Sequence, residues 1–212
     1  MVKRALFIDG LAQDMQAIKL TNIRKTSMLW LVVAFTFTVS LAYITGSYRS
    51  GIGNELLSSL QFLVESVVGI ITIALLIYTA FDFSIPSAKP LFQRLLWPLT
   101  ALVIWVSFYV VGLVQPALEP LMSDKRGHCS FEVFIYAMPI LLASFYWIKK
   151  QWPLDPKTTG LLAGLSAGAV PALIMQFACM YEPQHILLHH ILPGLSVGLL
   201  GGLMGMVILR SQ

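Results

Sequence analysis

The sequence predicts an all-α integral membrane protein: six transmembrane helices with both termini cytoplasmic, preceded by a short amphipathic cytoplasmic helix. Three observations carry this. Hydrophobic residues make up 57% of the 212 residues and charged residues only 11%, the balance of a membrane chain. Apolar runs of about twenty residues, long enough to cross a hydrocarbon core of about 30 Å, alternate with short polar breaks. Lys and Arg are concentrated in alternate breaks, which orients the bundle.

Residues 1–27 form the longest soluble piece, and about 27 residues cannot bury a core of their own. Phe7, Leu11, Met15 and Ile18 recur at helical spacing, with Asp9, Gln13, Asp14 and Gln16 between them. The segment therefore reads as an amphipathic helix of about three to four turns. Alone in water such a helix is marginal, so it needs a membrane surface or a partner's groove. Two acids within its body favour a protein partner. No signal-type apolar stretch with a small-residue cleavage site precedes the first span, which is expected to remain as a signal anchor.

The rest, 28–212, is the bundle. Spans fall at about 28–46, 57–80, 95–115, 131–148, 159–180 and 188–209, each about 18–24 residues long. An even number puts both termini on one side. That side carries eleven of the fourteen Lys and Arg residues, and the other only Arg49, Lys125 and Arg126, so the termini are cytoplasmic by the positive-inside rule. The net charge of +4 is thereby a topology signal. It offers no case for direct contact with nucleic acid.

The second span holds Glu65, in "QFLVESVVG", the one acid well inside a span. An intramembrane carboxylate is a functional candidate by default: it can relay protons, bond Gln61 or facing hydroxyls, or link an outer site to the bundle. The fifth span repeats glycine at 160, 164 and 168, and the sixth at 194, 198 and 202. Such small-residue ridges let helices approach closely, so these spans are expected to form a tight hairpin, with Pro171 and Pro193 as kink positions. The same stretches contain two G-x-S-x-G matches, "GLSAG" and "GLSVG". An intramembrane serine protease does not follow, because Ser166 and His190 fall at depths about 18 Å apart along the axis, whereas a nucleophile and its base need contact at about 3 Å.

The reactive residues gather on the outer face. The second outer loop, about 116–130, holds His128 and Cys129; the third, about 181–187, and its borders hold Cys179, Glu182, His185, His189 and His190. Three readings of the cysteine pair stay open. In an oxidising compartment it can close a disulfide; with imidazoles it can hold a soft or borderline cation such as zinc or another heavy metal; or Cys179 is a small apolar packing residue and the histidines are interfacial tips. Starting the sixth helix at Pro183 with Glu182 as cap puts His185 and His189, spaced i and i+4, on one face.

"FIDGLAQDM" near the start, a six-span bundle with short loops, a cysteine before the fourth span, "WPLDPKTTGLLAGLSAGA" opening the fifth and "QFAC" closing it together resemble the NrsF family. These are six-span inner-membrane anti-sigma factors of proteobacteria. The resemblance covers essentially the whole chain and lies in the order and spacing of short motifs. It implies that the N-terminal segment sequesters an extracytoplasmic-function sigma factor and that Cys129 and Cys179 are tied to the response to heavy-metal or related stress. Asp9, Leu11 and Asp14 match the family's N-terminal pattern as sigma contacts, whereas Phe7, Met15 and Ile18 come from the helical face alone. Ala17 stands where the family often has proline.

The residues and the resemblance agree on a signal transducer in the bacterial inner membrane, not an enzyme, with the lipid bilayer and a sigma factor as partners and, at most, a metal ion at the outer thiols. A small metal or solute transporter using Glu65 and the outer histidines is the alternative. A membrane thiol oxidoreductase is weaker, because such enzymes normally use a C-x-x-C pair.

Overall fold

The computed structural model describes residues 21–46, 48–86, 89–119, 127–151 and 153–209. The expected amphipathic helix, with Phe7, Asp9, Leu11, Asp14, Met15 and Ile18, lies outside the described residues, as do Lys125, Arg126 and Arg210. All regular structure among the described residues is helical. Six helices are long and apolar enough to cross a membrane: Ile23–Thr45, Leu60–Phe83, Leu91–Gly112, Cys129–Lys149, Pro156–Ala178 and Pro183–Ile208. They are taken in order as the first to sixth spans. Their outward faces carry Val32, Val103, Phe131, Leu199 and Val207, all more than half exposed, which is the surface that a bilayer covers.

The ends are set by local chemistry. Asn22 accepts from the Lys25 amide to open the first span, and Asp155, followed by Pro156 in the first turn, accepts from the Thr158 amide to open the fifth, both ordinary N-caps. The second span starts three residues later than its apolar pattern suggests. Ser59 caps it, and the preceding Ile52–Ser58 forms a separate short helix after Gly51, whose φ of 88° needs glycine. That short helix was not legible in the apolar pattern.

The fifth span is the axis of the bundle. Nearly every residue of it is buried, and it touches the first, second, fourth and sixth spans. Its contact with the sixth is backbone to backbone. A methyl added to Gly160 would lie 2.9 Å from Gly205 Cα, and one added to Gly164 would lie 2.9 Å from Gly198 Cα, so the two backbones meet where side chains would otherwise hold them apart. The expected glycine hairpin is thus present, but on the sixth span the close seam runs through Gly194, Gly198, Gly201 and Gly205, while Gly202 meets only Leu161 at ordinary contact distance. Ser166 is buried and donates to Ala163 O in its own helix.

The first span packs more lightly. Trp30 Nε1 donates to Ser144 Oγ of the fourth span at 2.9 Å, and Thr21 Oγ1 to Gln151 Oε1 at 2.8 Å. Between these two spans runs an apolar groove of about 280 Å3 bordered by Leu29, Val33, Phe37, Pro139 and Ala143.

Because the hairpin has no room for side chains, Gly164→Leu is expected to lower stability by about 1–3 kcal/mol or more, the cost of overpacking. Gly53→Ala, where an added Cβ meets nothing within 4 Å, should change it by less than about 1 kcal/mol. Thermal unfolding of the purified protein in detergent checks the pair.

Candidate thiol and imidazole site

Three spans end together to build the site. The fourth begins at Cys129, the fifth closes with Cys179 as its C-cap in extended conformation, and the sixth begins at Pro183. Only Met180, Tyr181 and Glu182 separate Cys179 from that start. The fifty-residue separation in sequence between the cysteines closes to 3.0 Å between their sulfurs, in contact and longer than the ~2.05 Å of a disulfide bond. Both are buried among Ala42, Val133, Tyr136, Met175 and Met180.

The imidazoles arrive by an unusual turn. Leu187–Ile191 is a π-helical segment in which the Leu192 amide donates to Leu187 O, five residues back. Pro193 follows directly. Its ring would collide with the carbonyl four residues earlier in a regular helix, and the widened turn relieves this; such turns are frequent at functional sites. His185 and His190, spaced i and i+5, face the thiols; His185 and His189 do lie side by side as their i, i+4 spacing predicts, but His189 stays outside the four-residue cluster. His189 is exposed, with Nδ1 2.9 Å from Ser130 Oγ and its ring 4.6 Å from that of His185.

One ligand atom from each of Cys129, Cys179, His185 and His190 lies within 4.8 Å of all the others. His185 Nε2 is 3.4 Å from Cys179 Sγ. His190 is fully buried, with the Cys179 thiol as its polar neighbour but no partner in good hydrogen-bonding geometry at either ring nitrogen among the described residues. A buried polar group in that position is costly. Two sulfurs and two imidazoles are the donor set of tetrahedral zinc-type sites, and two thiolates would neutralise a divalent ion in this buried place. His128 is exposed in the N-cap position, and Glu182 is partly buried at the N-cap of the sixth span without bonding through its side chain to that helix. Neither belongs to the four-residue cluster.

A model of the family described as "Negative regulator of sigma F" matches residues 11–210. The chain belongs to the NrsF family. It is thus a multi-pass membrane protein of a family of regulators that act on a sigma factor. Neither the curated proteins nor the solved structures contain a match.

Two residues of this NrsF chain that the sequence reading did not single out tie the cluster to the bundle. Arg49, from the link between the first and second spans, is buried: its Nη1 donates to Cys179 O at 2.9 Å, its backbone N–H to Phe177 O at 3.3 Å, and its Nε to Glu55 at 3.1 Å, with a further Arg49–Glu55 ion pair. It therefore binds the last carbonyls of the fifth span, which lack helical partners. Its rarity was the available signal, since Arg49 is one of three basic residues on the face that has few. Close by, Thr45 at the end of the first span hydrogen-bonds Tyr136 of the fourth.

Tyr181 is the second. Its hydroxyl donates to Glu65 Oε2 at 2.9 Å, while Gln61 Nε2 donates to Oε1 at 3.2 Å. Glu65 is fully buried and held from both sides; the bond to Gln61 was among the expected ones, the tyrosine was not. Burial, together with the neighbouring carboxylate, raises the Tyr181 phenol above its ordinary value. It stays a protonated donor through the physiological range.

With sulfurs in contact, treatment of the purified protein with diamide, which accepts the two thiol hydrogens, is expected to join Cys129 and Cys179 within one chain. Intact mass measurement should show the loss of two hydrogens. Cys129→Ser should abolish that loss.

Proposed function

We propose that this chain is an anti-sigma factor of the bacterial cytoplasmic membrane. It holds an extracytoplasmic-function sigma factor through residues 1–27 and releases it when a heavy-metal ion or an oxidant acts on Cys129 and Cys179. The observation that carries the reading is the convergence of the two thiols with His185 and His190 inside a chain of a sigma-regulator family. The distribution of Lys and Arg supports cytoplasmic termini, which would put the cluster on the periplasmic side with the segment bearing Phe7, Asp9, Leu11, Asp14, Met15 and Ile18 across the membrane from it.

Zinc, cadmium or a similar thiophilic ion would take Cys129 and Cys179 as thiolates and His185 and His190 as neutral imidazoles. Oxidation would instead join the sulfurs. Either event acts on the ends of the fourth, fifth and sixth spans at once. A signal requires that the ion bind two bundle states unequally, and Arg49 supplies a physical link: it bonds the carbonyl of Cys179 itself and lies four residues beyond the first span. The first span in turn leads back to the N-terminal segment. Glu65, on which a transporter would depend, has a sufficient role as the acceptor for Tyr181 and Gln61.

The test uses the full chain in nanodiscs with the extracytoplasmic-function sigma factors of its host. One of them should bind, and Cd2+ should release it, with release lost in Cys129→Ser and in Cys179→Ser. Failure of every such sigma factor to bind, or unchanged release from both serine variants, would overturn the proposal. Cd2+ binding, read from thiolate absorption in the ultraviolet, should weaken at least about tenfold in His190→Ala.

Arg49→Gln separates sensing from transmission. It leaves all four ligands in place, so Cd2+ should still bind, while the Cd2+ dependence of sigma release should fall by about 2–30-fold. Equal release from this variant and the parent would remove Arg49 from the path.

A further inference from the structure

At the other end of the bundle from the thiols, the second and third spans enclose a cavity of about 180 Å3 bordered by Tyr78, Asp82, Lys89, Gln93, Arg94 and Trp97. We propose that this cavity binds the phosphodiester headgroup of an anionic phospholipid. Nothing in the sensing reading calls for it.

Arg94 anchors the site. Its side chain is only 10% exposed, and its guanidinium lies 3.7 Å from the centre of the Phe83 ring, a cation–π contact that fixes the plane of the fork. Asp82 takes Nε at 2.7 Å. Nη2 is buried and has no hydrogen-bond acceptor among the described residues. A single carboxylate cannot use the five donors of an arginine, and the part of the guanidinium that borders the cavity suits a phosphate oxygen.

The rim identifies the source of the phosphate. Lys89 is exposed there and brings a second cation, so Arg94, Lys89 and Asp82 together give a formal charge of +1. Trp97, in the wall of the cavity, is 68% exposed. Tryptophan and tyrosine at a span end mark the headgroup level, and basic pockets between spans at this level take anionic headgroups. A soluble phosphate would not account for the exposed Trp97 in the wall, whereas a lipid lays an acyl chain against Trp97 while its phosphate reaches Arg94.

The full chain, purified in a neutral detergent, is titrated with phosphatidylglycerol, cardiolipin, phosphatidylethanolamine, phosphatidylcholine and inorganic phosphate, with thermal unfolding and native mass spectrometry as readouts. Phosphatidylglycerol or cardiolipin should raise Tm by roughly 5 °C near saturation and remain bound in the mass spectrum. Arg94→Lys, which keeps the charge but not the fork, should lose most of that shift, and the exposed Lys89→Gln part of it. Lys89→Gln keeps the test decisive if Arg94→Lys does not fold. Equal shifts from the zwitterionic lipids, or an unchanged shift in Lys89→Gln and in any folded Arg94→Lys, overturn the site. A full shift from inorganic phosphate overturns the lipid as its occupant.

Discussion

The structure depends on the backbone contact between the fifth and sixth spans. A helix pair separated by ordinary side chains has axes about 8–10 Å apart; glycine facing glycine lets this pair come nearer, and that closeness brings the end of one helix over the start of the next. Cys179 and His185 can then share a site although only a short link joins their helices. The fourth span, packed against both, adds Cys129. Loosening the glycine contact would move the sulfur of one helix away from the imidazoles of the other before any ligand residue had changed.

Membrane interiors penalise unpaired polar groups, and most of the polar groups in this bundle are accounted for on that basis. Trp30 finds Ser144, Glu65 finds Tyr181 and Gln61, and Gln176 donates to Ser66 Oγ at 3.0 Å while accepting from Tyr109. Against that background the nitrogens of His190 and Nη2 of Arg94 stand out. They lie at opposite ends of the bundle, one beside soft sulfur donors and the other beside aromatic and basic groups. Their surroundings point to different ligands, a thiophilic cation and an anionic headgroup.

Much of the fold was legible in the sequence, because twenty-residue apolar runs and glycine at every fourth position are direct consequences of spanning a bilayer and packing within it. The cysteine pair was legible as a candidate through topology alone. Other parts of the site were not. The sequence offered His185, His189 and His190 alike as candidate ligands, and only the π-turn ahead of Pro193 brings His190 to the thiols while His189 stays outside, beside His185. Arg49 and Tyr181 looked like loop residues, since the sequence does not show that a loop folds inward to bond Cys179 O or Glu65.

The thiol cluster also has a place in the life of the chain. Its four residues come from the fourth, fifth and sixth spans, whereas the segment proposed to hold the sigma factor is made first. A membrane protein synthesised from its N-terminus therefore exposes that proposed regulatory segment before the cluster exists. Under the proposed reading, each newly made chain begins its life deaf to the signal and becomes responsive only when its last helix has been inserted.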